Sequence, residues 1–220
     1  MDRASSAFGS TPGRRTGSRV DRNASRDARR ERVPNPLDPK KLDELAVAYA
    51  ARFATSAGKL RSYLRRKVVT RGWAGAEDSA LPEGNGPDID GVVERMVQAG
   101  YVDDEAFARA RGSGLLRRGY GARRIDETLR AAGVGEDLRE DARGSDRERR
   151  EAALTMARKR GFGPFSRTGQ AGARLEPARR EKQLAAMLRA GHPLASAREL
   201  VDAATVLAAE RWVLDEDAEF

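Results

Sequence analysis

The side chains able to do chemistry in this sequence are few, and most exclude a reaction rather than suggest one. His192 is the only histidine and there is no cysteine. A histidine-based triad, a two-histidine metal centre and a thiolate nucleophile are therefore ruled out. His192 lies between Gly191 and Pro193, a setting for a turn or a helix cap. The run Asp103-Asp104-Glu105 offers three carboxylates, but adjacent residues on a helix do not share a face and so do not converge on a cation. They suit the positive end of a helix dipole instead. Gly112-Ser113-Gly114 and Gly119-Tyr120-Gly121 neither follow a strand nor end in Gly-Lys-Ser/Thr, so they lack the context of a phosphate-cradling loop. No catalytic residue, metal site or cofactor site is expected, and the chain reads as a non-enzyme.

The chemistry that remains is cationic. Tyr63 sits among Arg61, Arg65, Arg66 and Lys67, and Tyr120 among Arg117, Arg118, Arg123 and Arg124. A guanidinium pairs with phosphate or carboxylate through two parallel hydrogen bonds, and an exposed tyrosine ring can stack on a base. Tyr63 shares the stripe of Leu60 and Leu64, so it reads as a core anchor. Tyr120 falls in a turn, where it either locks two helices together or offers its ring to a partner. Arg65, Arg66, Lys67, Arg117, Arg118, Tyr120, Arg123 and Arg124 are the candidate partner-binding residues.

Charge distribution points the same way. The chain of 220 residues carries a formal +8, which raises the local concentration of phosphate-bearing ligands. Residues 54–76 hold six basic side chains and no acid, 106–125 hold six and none, and 152–175 hold five and none, whereas 199–220 hold seven acids and one arginine. A single such cluster is usually a solvated helix face with a balancing acidic tail. Recurrence at comparable places in the chain favours binding. The absence of cysteine fits a reducing compartment. Residues 1–20 lack the apolar run of a signal peptide and no segment approaches about 18 apolar residues, so a cytoplasmic protein with no membrane partner is expected.

The elements that carry these residues are helices. Residues 1–37 read as a disordered basic leader, too poor in large apolar side chains to offset its ordering entropy. From Asp38-Pro39, a cap and first-turn signal, Leu42, Leu45, Tyr49 and Phe53 recur at helical spacing. A second helix carries Leu60, Tyr63, Leu64 and Val68 and stops near Gly72; a third carries Ile89, Val92, Val93, Met96 and Val97 and stops at Gly100. This first repeat spans 38–102, with a loop insertion at 74–87. The second, 103–144, comprises helices from Asp104 to Arg118, Ala122 to Ala132 and Glu136 to Arg143. The third, 145–205, opens on the capping-box pattern Ser145 to Glu148, resumes from Pro177 to Ala190, closes with a helix near Pro193, and holds a loop insertion at 162–175. Residues 206–220 read as an acidic extension. Leu60 with Leu64, Ile125 with Leu129 and Leu184 with Leu188 form the same i, i+4 pair, with Gly133 and Gly191 closing the last two helices. Three tandem three-helix repeats follow, each too small to bury its stripe alone. The expected fold is all-α, an elongated, curved helical array.

The order of signals from Tyr101 to Val134, namely Asp103-Asp104-Glu105-Ala106-Phe107-Ala108, then Arg117-Arg118-Gly119-Tyr120-Gly121-Ala122-Arg123-Arg124-Ile125, then Leu129 and Gly133, closely resembles the central segment of the RecX family of recombinase regulators. The resemblance extends over most of 40–205. It implies three tandem three-helix repeats without catalytic activity that lodge in the groove of a RecA–DNA filament. It also implies limits on that filament's ATP hydrolysis, strand exchange and coprotease activity in recombination, DNA repair and the SOS response. The implied partners are the RecA recombinase filament and DNA, contacted directly or through the filament. A monomer is expected. The family supplies no catalytic set to transfer, so the candidate contacts rest on local charge. The leader, both insertions and the acidic extension depart from the family pattern. Two other readings stay open: a nucleic-acid-binding helical protein that acts without a recombinase, and a helical-repeat scaffold for another protein.

Overall fold

The computed structural model describes residues 35–74, 86–166 and 176–215. The expected leader up to residue 34, the inner parts of both insertions and residues 216–220 lie outside the described residues. Within them the chain is helical, with a lone parallel bridge between Leu37 and Trp73.

Helices α1 (Pro39–Arg52), α2 (Ala57–Arg71) and α3 (Ile89–Gln98) form the first unit. Each starts where a side chain accepts from a free backbone N–H of the first turn: Asp38 from Lys41, Ser56 from Lys59 and Asp88 from Gly91. Their apolar stripes meet in one core of Leu42, Ala46, Leu60, Leu64, Val92, Val93 and Met96. Leu37, which falls inside the expected leader, is fully buried in that core. It precedes the Asp38 cap and packs in the same cluster as Leu42, the arrangement of a hydrophobic staple, so the folded chain begins earlier than its composition suggests.

The second unit is α4 (Asp104–Arg118), α5 (Ala122–Ala131) and α6 (Glu136–Asp141), packed around Leu115, Leu116, Ile125, Leu129 and Val134. Helix α4 ends at Gly119 in the left-handed region, φ 90°, where Gly119 N donates to Leu116 O and Tyr120 N to Leu115 O. The third unit holds α7 (Asp146–Arg160), α8 (Pro177–Arg189), α9 (Leu194–Val201) and a further helix, α10 (Val206–Leu214). Ser145 and Glu148 make the expected capping box.

Three details differ from the expectation. The repeat register of α8 is shifted: Met187 is fully buried while Leu188 is only partly so. Counting back from the closing glycines, Met187 and Gln183 stand four and eight residues before Gly191, as Leu129 and Ile125 stand before Gly133. Gln183 is tolerated in the core because its Oε1 accepts from Gly163 N at 2.9 Å. The insertion at 162–175 does not start as a free loop, since Phe162 and Phe165 pack on the third core across a 3-10 turn at Gly163–Phe165. The acidic extension likewise contains α10, whose Ala209 and Val213 are buried in that core. Arg150, itself buried, donates to Trp212 O and Asp215 O at the end of α10.

The units are joined by one device used twice. At the first junction the start of α2 meets the end of α5, where Ser56 Oγ donates to Ala132 O at 2.5 Å, and the start of α4, where Ala57 N donates to Asp104 Oδ1 at 2.7 Å. At the second, the start of α5 meets the end of α8: Gly121 N donates to Ala190 O at 2.9 Å and Arg123 N to Gly191 O at 3.3 Å. Both approaches need glycine. A Cβ on Gly58 would lie 2.6 Å from Ala132 O and 2.7 Å from Gly133 Cα, and one on Gly121 would strike the Gly191 carbonyl. Among the described residues, every hydrogen bond between units joins neighbours in the chain, so the three units form an elongated array.

Candidate partner-binding surface

The candidate cations fall into two groups that no hydrogen bond, ion pair or ring contact joins among the described residues. The first is on α2. Leu60 and Leu64 face the core, which sends Arg65 and Arg66 outward on either side of the opposite face, 100° apart. Both are exposed and neither guanidinium makes an ion pair among the described residues. Arg65 lies on the side of α3, where Arg61 Nε reaches Asp90 at 2.5 Å. The Asp90 carboxyl is held below the usual carboxylate range by that Arg61 hydrogen bond, with Arg61 and Arg65 adding Coulombic attraction. Lys67 is partly buried, with Nζ 5.4 Å from the Tyr63 ring centre. Tyr63 packs against the first core and stacks on Tyr49 with ring centres 4.2 Å apart, which fits the core-anchor reading of that residue.

The second group is at the junction of the second and third units. Arg117 is exposed and has no ion pair among the described residues. Arg118 folds back, its Nε donating to Gly114 O at 3.0 Å and its guanidinium 5.9 Å from the Tyr120 ring. Tyr120 is 37% exposed, so the ring is offered to solvent at one side and covered by a cation at the other. Arg123 donates to Leu188 O at 3.2 Å across the junction and pairs with Glu127 at 3.5 Å; Arg124 reaches the other oxygen of Glu127 at 3.3 Å. One carboxylate thus partly neutralises two of the four arginines.

The fold adds cations that local sequence did not select. Lys159, near the end of α7, donates from Nζ to Arg118 O at 3.3 Å. Arg189 ends α8 beside the Leu188 carbonyl that Arg123 caps. The basic runs 106–125 and 152–175 therefore converge here. The charge count alone showed both runs but not that α4 and α7 pack side by side. Some of this charge has a local task, since cations at helix ends satisfy terminal carbonyls and complement the dipole. Arg65 and Arg66 have no such task, and Arg117, though in the last turn of α4, makes no side-chain hydrogen bond or ion pair among the described residues.

His192 is 3% exposed within the same junction. Its Nε2 donates to Gly119 O at 3.0 Å while Nδ1 is buried without a partner. Burial pushes its pKa down, with the Gly119 hydrogen bond opposing. The three neighbouring carboxylates are engaged separately: Asp103 caps α4, Asp104 accepts from Ala57 N, and Glu105 pairs with Arg109. Among the described residues no group of three or more His, Asp or Glu is placed to hold a metal ion, and no helix is long and apolar enough to cross a membrane.

Residues 103–142 match the family model of the second three-helix domain of RecX. The chain is 31% identical over 184 residues to the regulatory protein RecX of Myxococcus xanthus, an alignment covering 80% of this chain and 94% of the relative. It is 33% identical over 128 residues to that of Deinococcus radiodurans, covering 56% of each. Its fold is similar to the crystal structure of RecX from Lactobacillus salivarius, with a TM-score of 0.54 at 14% identity over 74% of this chain and 94% of that one.

Proposed function

Because the chain belongs to the RecX family of regulatory proteins, we propose that it is a non-catalytic, cytoplasmic regulator that binds the RecA–DNA filament. On this reading it lowers the filament's ATPase, strand-exchange and coprotease activities in recombination, repair and the SOS response. Family membership carries the proposal. The elongated array supports it physically, because linear repeats present one long surface to a long partner. Arg65, Arg66 and Arg117 support it chemically as exposed guanidiniums with no ion pair among the described residues.

The mechanism is a shift of equilibrium. A filament cycles between geometries as it hydrolyses ATP and exchanges subunits, and a ligand changes that balance only through unequal affinity for the states. An array that spans neighbouring subunits meets this requirement, since its binding depends on their relative placement. Arg65, Arg66 and Arg117 are the primary contacts. Lys67, Arg118, Tyr120, Arg123 and Arg124 contribute less, because each would first give up part of an internal contact.

Co-sedimentation with RecA–DNA filaments tests this ranking. Replacing Arg65, Arg66 and Arg117 by alanine is expected to weaken binding by about tenfold per guanidinium. Replacing Arg123 and Arg124 is expected to weaken it less, since Glu127 already shares their charge. Equal binding by wild type and a folded Arg65, Arg66, Arg117 variant contradicts the contact assignment. The unpaired arginines also favour a second reading, direct binding to DNA without a recombinase. It predicts affinity for bare DNA that falls about 10³ to 10⁵-fold between 50 and 200 mM salt if six to ten phosphates are engaged.

A further inference from the structure

The first unit carries an aromatic stack that leads from its core to the surface. Tyr63 of α2 lies against Tyr49 of α1 with ring centres 4.2 Å apart and planes inclined by 17°. Tyr49 in turn meets Phe53, ring centres 5.2 Å apart and planes at 48°. Tyr49 and Tyr63 pack against the core; Phe53 does not join it and is 55% exposed. Phe53 caps the end of α1 in extended conformation, φ −134° and ψ 125°, its N–H held by Tyr49 O. The last ring of the stack is thereby fixed in place with much of its surface in water.

A lone exposed phenylalanine is ordinary on a protein surface. This one terminates a three-ring cluster, a stacked pair with a tilted third ring, on a basic part of the chain. Arg52 precedes it directly and is exposed; Arg66 lies three residues after Tyr63 and so beside it on α2; Lys67 sits 5.4 Å from the Tyr63 ring centre. Neither Arg52 nor Arg66 makes an ion pair among the described residues. Residues 54–76 contain six basic side chains and no acid. An exposed ring with unpaired cations nearby in the chain and on the adjoining helix matches one class of ligand well: an aromatic base joined to phosphates. Bases in a duplex are already stacked on each other, so a protein ring finds a free face on a single strand.

We infer that Phe53, backed by Tyr49 and Tyr63, with Arg52 next to it in the chain and Arg66 next to Tyr63 on α2, is a stacking platform for the bases of single-stranded nucleic acid. The inference deepens the filament reading by naming a strand contact on the first unit, but it stands or falls on strand binding alone.

The test compares two labelled strands of about 20 nucleotides, oligo-dT and a fully abasic strand of equal charge, by fluorescence anisotropy with the full chain. Wild type is expected to prefer oligo-dT. Phe53→Ala is expected to lose about fivefold to a hundredfold of its oligo-dT affinity and to bind both strands alike, with an unchanged salt slope. Phe53→Tyr keeps the preference, which separates loss of the ring from loss of the fold. Arg66→Ala weakens both strands equally and reduces the salt slope by about 0.7. Equal binding of the two strands by wild type, or a preference that survives Phe53→Ala, overturns the inference. Recombinase ATPase inhibition by the same variants keeps the two readings apart. If Phe53→Ala lowers inhibition but leaves the oligo-dT preference intact, the ring belongs to a protein contact and the inference is overturned. If the preference is lost in that variant while wild type never inhibits, the platform stands and the filament reading fails.

Discussion

His192 is enclosed where two units meet, and its protonation is coupled to that junction. Burial lowers its pKa in the folded chain, so in mild acid the unfolded chain takes up a proton that the folded chain refuses. The contribution of the neutral ring is complete above the unfolded value of about 6.5 and is lost as pH falls below it. His192→Gln, which keeps a donor for Gly119 O, is expected to cost about 1 kcal/mol at neutral pH and to lack this pH dependence. The gap between the thermal midpoints of wild type and variant should therefore close between about pH 7.5 and pH 5.5. A gap that stays constant contradicts the role. The sequence placed His192 correctly in a turn, because Gly191 and Pro193 are local signals. Its partner, Gly119 O, is 73 residues away and has no local signature. The candidate arginines show the same division. Their charge was legible, but which of them Glu127, Leu188 O and Gly114 O would occupy was not.

At the level of elements the caps were the clearest signals. Asp38, Ser145 and the stop at Gly119 act where their residue types suggest, because capping involves only one turn of chain. Packing between helices was less visible. Gly58 looks like a mild weakness near the start of α2, where alanine would gain about 1 kcal/mol in an isolated helix. In the fold, a Cβ there would lie 2.6 Å from Ala132 O and 2.7 Å from Gly133 Cα, both backbone atoms. The clash outweighs the propensity, and Gly58→Ala is expected to lower stability by about 1–3 kcal/mol in urea denaturation. Gly135 provides the contrast: a Cβ there meets open space, and as the N-cap of α6 it offers no side-chain acceptor. Gly135→Ser is expected to gain a few tenths of a kcal/mol. Equal effects at the two positions contradict the junction as described. Helix α10 was hidden for another reason. The seven acids of 199–220 mark the segment as acidic, yet only Glu210 lies in α10, where Ala209 and Val213 form an i, i+4 pair that reaches the third core.

At the scale of the whole molecule, the array grows by repeating contacts rather than by wrapping one core. Helices α4, α7 and α10 follow one another, each packed on the one before. Each is opened by a capping side chain, Asp103, Ser145 or Thr205. Helix α10 thus covers the face of α7 left by the last unit, a role that terminal elements of linear arrays commonly have. At the other end, Leu37 pairs with the chain leaving α2: its N–H donates to Gly72 O at 3.0 Å and its carbonyl accepts from Ala74 N at 2.8 Å. Both ends of the described array are closed, and the basic residues form two groups, one on α2 and one at the junction of the second and third units. The helical repeat was legible because its apolar periods and closing glycines recur. The convergence of two basic runs at one junction was not, because it depends on how α4 meets α7.

The most direct test is the DNA-stimulated ATPase of RecA from the same organism, measured as this protein is titrated in, with filament assembly followed by light scattering in the same sample. A filament regulator lowers the ATPase at protein concentrations too low to bind bare DNA. A rate that stays constant throughout the titration, or that falls only once this protein coats the DNA, contradicts it.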